Sequence, residues 1–261
     1  MSLIVTGTIV KQLQVATNYY LLEITAPQLA QLAQPGQFVH VQCSGNSVPL
    51  LRRPISINSV NRRSGTVTIL YRVVGEGTRL LADKRVGDLL NVIGPLGKGF
   101  SVVSSSSKVI LVAGGIGIAP LYFLLQELLA KGVKPTVLIG ARTADDLLLI
   151  SAIKALGVTI EIATEDGSAG VQGRVTELLP KYLPDTDMIY TCGPTPMMQA
   201  VALIAQQKDI ATEVSLEERM GCGVGACLAC SCKIKVGTGN EYKRVCADGP
   251  VFNAGEVCWG E

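Results

Sequence analysis

Six of the eight cysteines in this 261-residue chain fall between Cys222 and Cys258. In GCGVGACLACSCK the spacing is Cys222, four residues, Cys227, two residues, Cys230, and RVCADGPVF supplies a distant Cys246. C-x4-C-x2-C with a remote fourth cysteine is the plant-type spacing for a 2Fe-2S cluster. Thiolates around such a cluster converge on a compact inorganic core, and Gly221, Gly223 and Gly225 let a loop wrap it with backbone N–H groups facing sulfur. Zinc is the alternative, although structural zinc usually uses paired C-x2-C knuckles and only one occurs here. Cys232 shares a strand face with Cys230 in CSCKIKV and competes with it as a ligand. Cys43 reads as small core filling, and Cys258 beside Trp259 as a packed tail or an accessory thiol.

Two further stretches have spacing suited to a nucleotide. GGIGIAP, with Gly114, Gly115, Gly117, Ala119 and Pro120, follows an apolar run that reads as a buried strand and precedes a helical run. A dinucleotide pyrophosphate meets a helix N-terminus at such a turn, and Pro120 suits the first helical turn, where a missing N–H costs little. The pattern is G-x-G-x-x-P and not the full fingerprint, and a plain tight turn is the alternative. YTCGPTPMM repeats the arrangement at a later strand end with Cys192, Gly193 and Pro194. Cys192 is a candidate contact for a nicotinamide or flavin, or else a small buried side chain. Upstream, LLRRPISINS sets Arg52 and Arg53 before Pro54, Ile55 and Ser56, where an arginine can clamp a pyrophosphate bidentately. LYRVVGEGT adds Leu70, Tyr71, Arg72 and a Gly77-Thr78 turn.

These residues need three kinds of support. From Met1 to about Phe100, short β-rich runs (TGTIVKQLQVA, YYLLEIT, GQFVHVQC, PISINSV, TVTILYRVV) separated by turn residues predict an antiparallel barrel. From VILVAGG onward strands alternate with helices, the helices including DDLLLISAIKALG and VTELLPKYL, which predicts a parallel α/β sheet. Beyond Val214 the segment is Gly- and Cys-rich. The expected domains are therefore 1–101, 102–211 and 212–261. Composition agrees with a core-forming protein: 48% hydrophobic residues, and 23 basic against 21 acidic side chains. That near-neutral balance gives no footprint for a nucleic acid or an anionic membrane. The uncharged run Val109–Gln126 is split by Gly114, Gly115, Gly117 and Pro120 into strand and helix and is not expected to span a membrane. The N-terminus lacks a signal-peptide pattern, so a cytoplasmic location is expected. His40, the only histidine, sits in FVHVQC and reads as structural.

The order R-P-x-S, G-G-x-G-x-A-P, C-G-P resembles the ferredoxin-reductase superfamily of FAD and nicotinamide enzymes. With EERMGCGVGACLACSCK and RVCADGPVF added, essentially the whole chain is similar to the electron-transfer subunits of type B, NAD-linked dihydroorotate dehydrogenases. The resemblance implies an FAD barrel, an NAD domain and a 2Fe-2S module in an oxidoreductase subunit of pyrimidine biosynthesis. It assigns FAD to Arg53–Ser56, Leu70–Arg72 and Gly77-Thr78, and the cluster to Cys222, Cys227, Cys230 and Cys246. It implies an FMN-containing partner that oxidises dihydroorotate, a complex of two catalytic and two electron-transfer subunits, and a route from FMN through 2Fe-2S and FAD to NAD+. A flavin belongs between a one-electron cluster and a hydride acceptor because it exchanges electrons singly or in pairs. Arg142 and Asp145 in GARTADD leave NAD against NADP open on residues alone. The alternatives are the related small subunit of an NADH-dependent ferredoxin:NADP oxidoreductase or of a sulfide dehydrogenase, and, outside enzymes, a zinc- or redox-sensing interaction module.

Overall fold

The computed structural model describes residues 2–45 and 48–260. Contacts divide the chain into two compact units: Met1–Phe100 with Glu217–Cys232 and Tyr242–Pro250, and Ser101–Leu216 with Lys233–Glu241 and Val251–Glu261. Residues of the cysteine-rich tail thus belong to both.

In the first unit, β1 (Leu3–Ala16), β2 (Tyr19–Thr25), β3 (Phe38–Val41), β4 (Arg53–Asn61), β5 (Thr66–Arg72) and β6 (Leu89–Leu96) form a closed barrel in the order β1-β2-β5-β4-β3-β6. All its pairings are antiparallel, and β1 with β6, from Leu3 opposite Gly94 to Thr8 opposite Leu89, shuts the cylinder. The sixth strand was absent from the five runs legible in the sequence. Its Gly94-Pro95 pair reads as a turn and Leu89 is exposed, yet the register with β1 keeps the segment extended. Alternation fills the interior with Ile9, Leu22, Val41, Ile57, Val67, Leu90 and Val92, all at 0% exposure. Each such side chain is worth about 1.5–3 kcal/mol of burial. β1 and β2 are joined through Thr17 and Asn18, whose φ of 64° suits the left-handed position of a tight hairpin. Two short helices, α1 (Pro27–Leu32) and α2 (Glu76–Ala82), lie in the connections.

The second unit is built on a sheet of β7 (Val109–Gly114), β8 (Thr136–Ala141), β9 (Thr159–Thr164), β10 (Val171–Gln172), β11 (Met188–Cys192) and β12 (Ala211–Ser215), with helices α3 (Ile118–Ala130), α4 (Ile150–Ala155) and α5 (Thr195–Gln206). A hairpin of β13 (Ser231–Val236) and β14 (Gly239–Arg244) precedes β15 (Val251–Asn253), which adds antiparallel to β12. The sheet order is β10-β9-β8-β7-β11-β12-β15. From β7 the chain winds outward through β8, β9 and β10 and then returns to the other side with β11 and β12. Strand order therefore reverses between β7 and β11, the kind of position where parallel sheets bind ligands.

Two expected helices differ. VTELLPKYL forms three short 3-10 turns, Val175–Glu177, Leu179–Lys181 and Leu183–Asp185, because Pro180 and Pro184 bring no N–H to an α-helical ladder. The spacing still delivers Val175, Leu179 and Leu183 to a core with Ile110, Val112, Leu138 and Ile189. DDLLLISAIKALG opens in a 3-10 turn (Ala144–Asp146) and is α-helical only over Ile150–Ala155, since Leu149 takes a left-handed backbone with φ 60°. Val109–Gln126 is strand, 3-10 turn and helix as expected, and no helix among the described residues is long and apolar enough to cross a membrane.

Candidate redox sites

The thiol site is a loop. Residues 217–230 contain no helix or strand, and their shape depends on glycine and on backbone N–H groups that point at sulfur. The Sγ of Cys222 accepts N–H groups from Val224 (3.4 Å), Ala226 (3.3 Å) and Cys227 (3.4 Å). Cys227 Sγ accepts from Cys222 (3.4 Å), Cys230 Sγ from Cys246 (3.4 Å) and Cys246 Sγ from Gly225 (3.1 Å). Every one of the four sulfurs with plant-type spacing therefore has a backbone donor from another residue, which is how anionic sulfur is stabilised in such sites. The set is lopsided. Cys230 and Cys246 are each 2% exposed, Cys222 is half-buried and Cys227 is exposed beside exposed Val224 and Leu228.

Electrostatics follow this asymmetry. Burial works against ionisation of Cys222, but the surrounding N–H groups outweigh it and bring the thiol down to about 6. Burial and the adjacent Cys230 push Cys246 up to about 12. Cys232, half-buried, is pushed up to about 11 by burial and by the Glu218 carboxylate. Among the described residues no three His, Cys, Asp or Glu side chains are gathered closely enough to hold a metal ion. Four thiols that each carry N–H donors suit a two-iron core, which spreads its ligands over two metals.

The loop's supports come from far along the chain and carry no motif of their own. Arg244 donates from Nη1 to the Gly225 carbonyl (3.2 Å) and from Nε and Nη2 to Asp248 (2.8 and 3.1 Å). That forked pairing holds the Asp248 carboxyl at about 2. Gly225 has φ 81°, and a Cβ there would lie 2.9 Å from the Ala247 methyl. His40, buried in β3, lies against Gly223; burial lowers its pKa despite the opposing influence of backbone groups of Arg52 and Cys222.

On the barrel, Arg53 and Gly77 meet. A Cβ at Gly77 would come within 2.9 Å of Arg53 Nε, so the guanidinium lies flat on glycine and the 53–56 and 77–78 segments share one place. Arg53 Nη1 donates to the Leu51 carbonyl at 2.6 Å. Thr78 Oγ1 ties the turn, accepting from the N–H groups of Val74 and Gly75 at 3.0 and 3.2 Å. Arg52 serves the barrel: it donates to the Asn91 side chain (2.5 Å) and to the His40 and Asn91 carbonyls. Tyr71 is 3% exposed, with one ring face covered by Tyr20 at 5.8 Å between centroids. Its hydroxyl accepts from Gln12, which also donates to the Leu81 and Ala82 carbonyls at the end of α2. Leu70 is buried, and Arg72 is exposed with its guanidinium over the Tyr19 ring. Gln12, on β1, links two of these segments, Tyr71 and the end of α2, without any sequence signal.

In the second unit the two glycine turns touch. β7 and β11 are neighbours in parallel with Ala113 opposite Cys192. A Cβ at Gly117 would overlap the Cys192 carbonyl and sit 2.7 Å from Gly193 N, while one at Gly193 (φ 155°) would come within 2.9 Å of the Gly114 Cα. A Cβ at Gly114 would meet Pro194 at 2.7 Å. Gly115, with φ 52°, has nothing within 4 Å of its Cβ position. The turn thus closes onto Cys192-Gly193-Pro194 on one side and leaves its own backbone open on the other, ahead of α3, where Ala119 and Pro120 are buried in the first turn. Cys192 is 1% exposed.

A family model described as the iron-sulfur cluster binding domain of dihydroorotate dehydrogenase B matches residues 217–258, and one described as an oxidoreductase NAD-binding domain matches 111–203. The dihydroorotate dehydrogenase B (NAD(+)) electron transfer subunit of Desulforamulus reducens is 47% identical over 247 residues, 94% of each chain. That of Shouchella clausii is 44% identical over 252 residues, 96% of each. This chain belongs to the dihydroorotate dehydrogenase B electron transfer subunits. It is an oxidoreductase component, and membership in a family of electron transfer subunits implies a catalytic partner subunit. Among solved structures, one of an NADH-dependent reduced ferredoxin-NADP oxidoreductase aligns with TM-score 0.86 and 32% identity over 97% of this chain and 90% of its own. The ferredoxin reductase of carbazole 1,9a-dioxygenase aligns at TM-score 0.68 and 19% identity, over 80% of this chain and 67% of its own, and shares the fold.

Proposed function

We propose that this chain carries electrons from an FMN-containing partner subunit that oxidises dihydroorotate to orotate, delivering them to NAD+ in the cytoplasmic synthesis of UMP. The observation that carries this reading is the set of four thiols, each met by backbone N–H groups, on a chain that also pairs two glycine turns at a sheet's reversal point. Cys222, Cys227, Cys230 and Cys246 hold a 2Fe-2S cluster. Arg53, Pro54, Ile55, Ser56, Leu70, Tyr71, Arg72, Gly77 and Thr78 hold FAD, and Gly114, Gly115, Gly117, Ala119, Pro120, Cys192, Gly193 and Pro194 hold NAD+. When bound, the cluster supplies one-electron exchange, the flavin exchange of one or two, and the nicotinamide a hydride acceptor.

The chain's own residues bind and orient. Arg53 lies on the Gly77 backbone, ready to face a pyrophosphate with a charge-assisted fork. Gly115 offers open backbone at a helix start for a second pyrophosphate. The exposed Cys227, beside exposed Val224 and Leu228, faces the partner, and Cys230 and Cys246 lie on the buried side of the loop. Hydride transfer between flavin and nicotinamide needs no side-chain acid or base, and none is assigned. Functionally the chain divides into an FAD segment 1–101, an NAD segment 102–211 and a cluster segment 212–261, and it works as two copies with two catalytic subunits.

Co-expression with the FMN-containing dihydroorotate oxidase tests this. The expected result is a stable complex with flavin and iron–sulfur absorption and dihydroorotate-dependent reduction of NAD+ that the partner alone does not give. The likeness at TM-score 0.86 favours one competing reading, a subunit of an NADH-dependent ferredoxin:NADP oxidoreductase. A complex that reduced ferredoxin with NADH and ignored dihydroorotate would establish that reading instead.

A further inference from the structure

His40 is 1% exposed, and neither buried ring nitrogen makes a hydrogen bond of good geometry, although backbone groups of Arg52 and Cys222 lie near the ring. A neutral imidazole offers one N–H and one acceptor, and buried polar groups of this kind are nearly always paired. Its place in the barrel narrows what the missing partner is. Val41 lies opposite Val92, both at 0% exposure in the barrel interior, so alternation along β3 turns the His40 ring to the outer wall. There the thiol loop covers it: a Cβ at Gly223, where φ is 71°, would come within 2.5 Å of His40 Nδ1. Gly223 follows the ligand Cys222, and His40 is paired across the sheet with Pro54, within the Arg53–Ser56 strand. One ring thus stands between the cysteine loop and the strand assigned to the flavin, with its polar edge toward the loop.

We propose that His40 is a positioning residue for the iron–sulfur centre, seating the Cys222–Gly223 turn against the barrel and donating its Nδ1–H to the sulfur shell once the cluster is in place. This rests on the cluster assignment above. A hydrogen bond to cluster sulfur favours the reduced, more negative form and raises its potential. The paired glycine is part of the device, since any larger residue at 223 would displace the ring.

The test uses the complete complex and reads iron content, the electron paramagnetic resonance of the reduced cluster and its midpoint potential. In His40→Leu the expected result is wild-type iron content, an altered resonance and a one-electron reduction equilibrium at least tenfold less favourable, equivalent to 59 mV. Wild-type potential and resonance in His40→Leu would overturn the proposal and leave the ring as filler. Should that variant fail to fold or to hold iron, His40→Asn, whose amide nitrogen takes the Nδ1 position, is compared with His40→Gln, which reaches toward the Nε2 position. Asn near the wild-type potential with Gln displaced supports the proposal, and equal potentials overturn it. Absence of iron from the wild-type complex would instead sink the cluster assignment itself.

Discussion

In the second unit, strand register brings Gly114 and Gly193 together; in the first, nothing regular holds Cys222 to Cys230. Between β7 and β11 the pairing of Ala113 with Cys192 commits the next residues to meet, and absent side chains let backbone approach backbone. The thiol loop has no such ladder. Its shape rests on N–H groups aimed at sulfur, on Gly223 and Gly225 at positive φ, and on side chains distant in sequence: His40, Arg244 and Ala247. A site framed by a sheet inherits its precision from the sheet, whereas a site framed by a loop draws on single long-range contacts.

The largest expected effect breaks the loop outright. Cys246→Ser removes the cluster, read as loss of iron, sulfide and visible absorption, while Cys232→Ser keeps all three. The Cys246 sulfur receives the Gly225 N–H, and Cys232 lies in β13 with its thiol raised to about 11. The reverse pattern would move Cys232 into the ligand set and the anchoring N–H contacts out of the explanation.

The next effect sets the two glycine uses side by side. In Gly117→Ala the new methyl meets the Cys192 carbonyl, and neither backbone can yield. Overpacking of this kind costs about 1–3 kcal/mol and lowers the unfolding midpoint of the sheet unit. In Gly225→Ala, strain at φ 81° and contact with the Ala247 methyl fall on the loop, so iron content drops with little change in the sheet transition. Thermal unfolding by circular dichroism with parallel iron assay separates the two. Equal losses of iron in both variants would contradict the division. Smaller again is Arg244→Ala, which removes the tie to the Gly225 carbonyl and leaves the sulfur contacts intact. The cluster is expected to form and then to be lost severalfold faster to a chelator.

This contrast also explains what was legible in the sequence. Alternating apolar runs announced the sheet, and G-G-x-G-x-A-P and C-G-P marked the two turns that register then joined. The cysteine spacing picked out four sulfurs, Cys222, Cys227, Cys230 and Cys246, each of which receives a backbone N–H. The loop's supports were hidden, since nothing in FVHVQC or KRVCADGP tells which residues fold back on Gly223 and Gly225. β6 was missed for a related reason: its Gly-Pro pair reads as a turn, and only the long-range pairing of Gly94 with Leu3 and of Leu96 with Phe38 makes it a strand. In VTELLPKYL Pro180, with Pro184 just beyond, changed the helix type while leaving the apolar spacing that the core uses.

The smallest effect tests whether the sheet unit really is indifferent to single side chains. Glu213 in β12 accepts the Ser101 N–H at 3.0 Å, and burial raises its carboxyl above the ordinary value. A raised folded value means the neutral form is preferred: the contribution to stability is full below the unfolded value of about 4.3 and is lost as pH rises through the folded one. At neutral pH the carboxylate therefore costs stability. Glu213→Gln keeps an oxygen for Ser101 and drops the charge, so its unfolding midpoint should rise by less than about 3 °C at pH 7 and the gain should vanish near pH 4. A clear fall at pH 7 would mean that this charge supports the sheet as Arg244 supports the loop, and the distinction between the two regions would then lie in the glycine turns alone.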